Sequence, residues 1–155
     1  HVTTMFCMFD GCTRLATIDV SGFDTSSVTD MGSMFSFCDS LTTLDVSGFD
    51  TSNVINMGAM FSGCNGLVTL DISSFDTSGV TEMRRMFSDC TALTTIYASE
   101  KFTTENVVYS QDMFLGCTAL AGGNGSKYDS ARLDKAAAHI DSGASNPGYF
   151  TVKKA

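Results

Sequence analysis

The sequence predicts an α/β solenoid, a right-handed stack of 26-residue strand–helix units with a parallel sheet on its concave face. Three observations predict it. Cys12, Cys38, Cys64 and Cys90 are spaced by 26 residues, and Cys117 follows after 27. Around them one frame recurs: Met34-Phe35, Cys38, Leu41, Leu44, Asp45, Val46, Ser47, Phe49, Asp50, Thr51, Ser52, Val54 and Met57 return one period later as Met60-Phe61, Cys64, Leu67, Leu70, Asp71, Ile72, Ser73, Phe75, Asp76, Thr77, Ser78, Val80 and Met83. Within each unit the apolar spacing changes from steps of three and four residues to steps of two. Units of this length bury their apolar faces only by stacking, and a chain of 155 residues holds about five of them.

The first element of each unit is predicted to be a short amphipathic helix. Val28, Met31, Met34, Phe35 and Cys38 lie at helical spacing on one face. Asp24, Thr25 and Ser26 precede it, and Ser27 with Asp30, Asn53 with Asn56 and Gly79 with Glu82 occupy the positions of a loose capping box. These polar columns are read as satisfying backbone groups at turns. The second element, Leu41 to Ser47, alternates Leu44 and Val46 inward with Thr43, Asp45 and Ser47 outward, which is a strand pattern. Stacked in the same sense, the strands run parallel about 4.8 Å apart, and the helices cover one face of the sheet.

Residues 1–120 are predicted to form the array and 121–155 a capping segment of the same domain. Because Val2 aligns with Val28 and Met5 with Met31, the array begins mid-repeat, and a fragment of a longer protein is expected. In the cap, Ser130 starts a helix over 131–140, Gly143 ends it, and Pro147 sets a turn before a strand from Tyr149 to Val152. The repeat beside the cap is irregular. Tyr97 stands in the Asp column, Thr103 replaces the equivalent of Asp76, and one residue is inserted before Phe102.

Charge narrows the partners. Net charge is −8, and residues 1–83 carry ten acidic side chains against one basic, Arg14, so nucleic acid and anionic membranes are expected to be repelled. No apolar run approaches the roughly 20 residues of a membrane helix, and no charged-then-apolar leader opens the chain. Of the six cysteines, five are equivalent by repeat and are read as a buried apolar column, since equivalent residues stack and do not pair. Metal ligation would need clustered ligands at characteristic spacing, so no metal and no cofactor are expected. Cys7, in the column of Ser33, is expected to be an exposed free thiol.

Leu41, Leu44 and Val46 match the L-x-x-L-x-L core of leucine-rich repeats, with Phe49 where many members place Asn or Cys. The longer frame, C-x-x-L-x-x-L-D-V-S-x-F-D-T-S-x-V-x-x-M-x-x-M-F, resembles the BspA-like family of bacterial surface leucine-rich repeats over residues 2 to about 120. The tail, with Gly122-Gly123-Asn124-Gly125, Tyr128-Asp129, Ala138-His139-Ile140-Asp141 and Ser145-Asn146-Pro147-Gly148-Tyr149-Phe150, is similar to the ending of such arrays. The resemblance implies an extracellular or cell-surface location and adhesion to a host or bacterial surface protein.

The candidate ligand-binding surface is the outward strand face. Its columns are Thr17, Thr43, Thr69 and Thr95; Asp19, Asp45, Asp71 and Tyr97; and Ser21, Ser47, Ser73 and Ser99. Aspartates one strand apart repel by about 1 kcal/mol at water-like dielectric, so the column must be solvated or matched by cations or a basic partner. Calcium needs six to eight oxygens around one ion, more than one carboxylate per strand supplies. A glycosidase needs two carboxylates in different environments, whereas repeat symmetry makes Asp19, Asp45 and Asp71 alike, and His1 and His139 accompany no nucleophile motif. No enzyme activity is expected. Tyr97, bordered by Glu100 and Lys101, is read either as an aromatic anchor for a ligand or as packing against the cap. The expected function is a bacterial surface or secreted recognition module for protein–protein interaction or adhesion through an extended, polar, acidic concave face. A carbohydrate-binding module centred on Tyr97 and a structural spacer are the alternatives, and the Asp column disfavours an ice-binding use of the threonines.

Overall fold

The computed structural model describes residues 1–153. It corrects the expected fold class: among the described residues there is no α-helix, so the chain is not a leucine-rich-repeat stack of strand–helix units. Among the described residues, regular structure is limited to three short strands, β1 (Thr69–Asp71), β2 (Thr95–Ala98) and β3 (Phe150–Val152), and one 3₁₀ turn, Lys135–Ala137. The strands form one parallel sheet in the order β1-β2-β3.

The predicted helical segment is instead a chain of tight turns. Met34, Ser36 and Cys38 donate their N–H groups to the carbonyls of Met31, Ser33 and Phe35, three residues back. The intervening Ser33, Phe35 and Phe37 donate to Gly58, Met60 and Ser62 of the next coil at 2.7–2.9 Å. A helix would keep every N–H within its own segment. Here alternate groups leave it and stitch coil to coil.

This alternation needs left-handed backbone at two positions per repeat. Cys7, Ser33, Ala59, Arg85 and Asp112 form one such column, with φ from 53° to 58°. Gly11, Phe37, Gly63, Asp89 and Gly116 form the other. Each non-glycine residue there costs roughly 1–2 kcal/mol, against which stand the inter-coil hydrogen bonds and complete burial of Met31, Met34, Phe35 and Cys38. A free helix of this length would itself be marginal. Val28, Met31, Met34, Phe35 and Cys38, predicted to face inward, do so on a different backbone, whereas Cys12, expected in the buried cysteine column, is exposed.

The expected capping boxes are also replaced. The side-chain oxygens of Asp30, Asn56 and Glu82 accept from the N–H groups of Gly32, Gly58 and Arg84, two residues on, at 2.8–2.9 Å. These are local turns. The same residues carry single parallel bridges running Thr4, Asp30, Asn56, Glu82, Tyr109 from coil to coil. The strand expected in every unit forms only at β1 and β2; the equivalent segments around Asp19 and Asp45 are not strands.

The core repeats like the sequence. Phe9, Phe35, Phe61, Phe87 and Phe114 stack with ring centroids 5.5–6.0 Å apart. Beside them, the buried thiols of Cys38, Cys64, Cys90 and Cys117 each donate to a phenylalanine carbonyl of the preceding coil at 2.9–3.3 Å. Burial pushes the Cys38 thiol up to about 11 and the Cys90 thiol up to about 12. All six cysteines are free, and the exposed one is Cys12, whereas Cys7 is half-buried. Buried Thr25, Thr51 and Thr77 clamp neighbouring coils, each hydroxyl both donating to and accepting from the backbone of the next coil.

The cap also departs from its prediction. In place of a helix over 131–140 there is the short Lys135–Ala137 turn, N-capped by Asp134. The segment is held instead by the chain entering β3: Tyr149 donates to Ala137 and Phe150 to His139. Upstream, Phe114 donates to Leu133 as Phe87 does to Met113, so the cap continues the coil-to-coil pattern. Asp141 anchors it. Its buried carboxylate accepts from the N–H groups of Asn124, Ser126 and Gly143 and from the Ser126 hydroxyl.

Candidate functional site

The register of the three strands builds the surface. Thr69 pairs with Thr95, Asp71 with Tyr97, and Tyr97 with Thr151, so the row Asp71–Tyr97–Thr151 crosses the outward face from the last regular coil to the cap. Inward, Leu70, Ile96 and Phe150 share the alternate row and are buried.

Each aspartate of the column has a fixed role for one oxygen. Asp19, Asp45 and Asp71 accept through Oδ1 from the N–H groups of Ser21, Ser47 and Ser73 at 2.9–3.0 Å, turning the chain at the end of each outward segment. The serine hydroxyl and N–H hold the Asp19 and Asp45 carboxyls below the usual range. At Asp71, burial alone would raise the pKa, but hydrogen bonds from Lys153 and Ser73 outweigh it and the net direction is down. Lys153, just past β3, reaches across β2 and donates its ammonium to Asp71 Oδ2.

That ammonium separates two grooves. One, of about 610 Å³, is lined by Thr69, Asp71, Tyr97, Gly123, Thr151, Val152 and Lys153. The other, of about 780 Å³, has an apolar floor of Ala98, Ile140 and Val152 beneath Ser73, Ser99, Glu100, Lys101 and Lys153. The predicted site residues thus divide. Thr69, Asp71 and Tyr97 meet in the first groove, and Ser73 and Ser99 at the second, where the Ser99 hydroxyl is turned onto the Ser73 carbonyl at 2.7 Å. Thr95 is half-buried beside Thr69 on the same outward row. Thr17, Asp19, Ser21, Thr43, Asp45 and Ser47 are exposed on the coils that form no strand. Tyr97 is half-buried, with the cap's Thr151 as its strand partner and the groove before it.

The cap's contribution escaped the sequence reading. Thr151, Val152, Lys153, Ile140 and Gly123 all line this surface. The expected strand from Tyr149 carried the signal, since its alternation puts Thr151 and Lys153 on one face, but nothing local named β2 as its partner.

A second polar groove, of about 440 Å³, lies along the turn side of the array, lined in part by Asn56, Glu82, Arg84 and Arg85. Both of its arginines are already engaged: Arg84 is held by Glu82 through paired nitrogens and lies 4.8 Å over the Tyr109 ring, and Arg85 lies 3.9 Å from the Asp112 carboxylate. Among the described residues no group of three or more His, Cys, Asp or Glu side chains is placed to hold a metal ion. No helix among them is long and apolar enough to cross a membrane.

Residues 1–68 and 42–146 both match the family described as "Mycoplasma protein of unknown function, DUF285". The chain belongs to that family. The two overlapping matches fall on a repeated array, as expected when one family unit spans several coils. No curated protein and no solved structure matches the chain.

Proposed function

We propose that the protein is a recognition module of the bacterial surface or of a secreted protein, engaging a surface protein through its outward strand face. The observation that carries this reading is the uneven use of the aspartate column. Asp19, Asp45 and Asp71 each commit Oδ1 to the fold, while Asp19 and Asp45 form no ion pair among the described residues. An acidic row whose last member, Asp71, borders an open groove is suited to binding, and the matching serine partners of Asp19 and Asp45 give those two carboxylates like environments, not the divergent ones of an acid–base pair. The BspA-like resemblance supports adhesion and an extracellular setting.

The test is a binding screen of the purified chain against immobilised matrix proteins and a glycan array, repeated at high salt and with chelator. Saturable protein binding weakened by salt and indifferent to chelator is the expected result. A chain that binds nothing saturably is a spacer, and the proposal fails.

One observation favours a second reading. The first groove brings an aromatic ring, a carboxylate–ammonium pair and the hydroxyls of Thr69 and Thr151 together, a set able to hold a sugar ring. Carbohydrate binding there would be abolished by Tyr97→Ala, which a broad protein interface should tolerate with little loss.

A further inference from the structure

We propose that the strand face takes a basic segment of a partner protein, with its cations on the outer oxygens of the aspartate column and an aliphatic side chain in the cap groove, and that Lys153 holds one of those cation positions until displaced. This rests on the recognition reading above and gives its partner a chemistry.

The position of the lysine is the starting point. In all three aspartates Oδ1 is used by a serine N–H, and at Asp71 the atom that receives the ammonium is the other one, Oδ2. Asp71 therefore displays, with a side chain from its own molecule, how the column accepts a cation. The pair is partly exposed at both ends, so it is weak and exchangeable, whereas a buried pair would be costly to break. Asp45 is held below the usual range chiefly by its Ser47 hydrogen bonds, with a smaller contribution from the Lys153 charge, while the ion pair itself goes to Asp71.

The geometry selects side-chain recognition. β2 is paired on both sides, and beyond β3 the Phe150 backbone bridges to Ile140, so the first groove lies over the outward sheet face, away from the strand edge, and the second lies at the end of the sheet. A peptide here is read by charge and by pockets and not by strand addition. Ala98 and Val152, which alternate onto the row of Ile96 and Phe150, form with Ile140 an apolar pocket at the end of the sheet that Lys153 also lines, with Val152 55% exposed. An aliphatic anchor fits there as a cation replaces Lys153 at Asp71. The excess of acid over base in residues 1–83 steers a basic segment in and keeps an anionic one out.

The experiment uses the whole chain and a short fluorescent synthetic peptide of alternating lysine and serine ending in leucine, with its lysine-acetylated form as control. Anisotropy titration should show saturable binding that acetylation abolishes. Asp71→Asn, which keeps an oxygen for the Ser73 N–H, should weaken it about threefold, and Asp45→Asn likewise, as exposed pairs do. Lys153→Ala should tighten binding about threefold in the parent and not at all in Asp71→Asn. Val152→Thr should weaken the leucine-ended peptide and leave one ending in serine unchanged. Equal tightening by Lys153→Ala in both backgrounds would mean a net-charge effect only and would overturn the proposal. So would binding that survives acetylation. If Asp71→Asn melts earlier than the parent, Asp45→Asn decides the column's part. A chain that ignores the peptide but binds a neutral protein or glycan through this face sinks the inference and leaves the recognition reading standing. If nothing binds the face, both fall.

Discussion

Thr51→Val isolates the polar clamp between coils. Valine keeps the shape and the β-branch, so packing at this buried site is conserved and only the hydroxyl is lost. In the parent that hydroxyl donates to the Asp76 carbonyl at 2.9 Å and accepts from the Asp76 N–H at 2.8 Å. Removing it orphans one donor and one acceptor, each costing about 1–3 kcal/mol where water cannot replace the partner. Asp76 is half-buried, so water recovers part of this, and a total of about 2–4 kcal/mol is expected. For 155 residues that corresponds to a fall of roughly 5–15 °C in Tm. Differential scanning calorimetry, with urea melts alongside, measures it. Thr51→Ser retains both hydrogen bonds and should lose only about 1 kcal/mol for its missing methyl group. The reasoning is refuted if Thr51→Val melts with the parent, or if serine is as damaging as valine.

Three further outcomes are expected. A thiol reagent at mildly alkaline pH should label Cys12 and Cys7 in the folded chain and reach Cys38, Cys64, Cys90 and Cys117 only on unfolding, because those four are buried and burial raises their pKa values; peptide mapping of early label on Cys64 would contradict this. Burial would raise the Asp141 pKa, but hydrogen bonds from Ser126, Gly143 and Asn124 hold it well below the usual range, so it contributes stability above about pH 4 that is lost as pH falls through the folded value; the Tm gap between parent and Asp141→Asn should shrink from pH 7 toward pH 2, and a constant gap would refute it. Phe61→Ala removes the middle of the ring stack, which is fully buried, and should cost about 3–5 kcal/mol in urea unfolding; a loss under 1 kcal/mol would mean that the column is not a core.

The inward-facing residues of the array were legible in the sequence because burial fixes them whatever the backbone does. Met34, Phe35 and Cys38 had to be inside, and they are. The helix was not legible, because apolar steps of three and four residues are satisfied equally by successive turns with a three-residue hydrogen bond. What decides between them is the neighbouring coil, which takes the N–H groups of Ser33, Phe35 and Phe37. The glycines at 11, 63 and 116 were a visible sign of left-handed backbone, but Phe37 and Asp89 in the same column hid it. The same limit applied to the candidate surface. Its columns could be read by period, whereas Lys153 and Val152 reach it through a strand pairing 54 residues removed in sequence, as Ile96 to Phe150 and Ala98 to Val152 show.

Regularity and function pull against each other in such a chain. The serine N–H groups account for the aspartate column without any ligand, as the inter-coil clamps account for the threonines at 25, 51 and 77. A feature that the fold explains in every repeat is weak evidence of binding in any one. The departures from the repeat are therefore the informative positions, and they gather at one place: Tyr97 in the aspartate column, the inserted residue before Phe102, and the cap's Thr151, Val152 and Lys153. There the row of like charges meets its cation, and an apolar pocket opens at the end of the sheet. The regular coils supply a uniform field of negative charge, and the junction with the cap supplies the shape by which the proposed basic partner would be told from others.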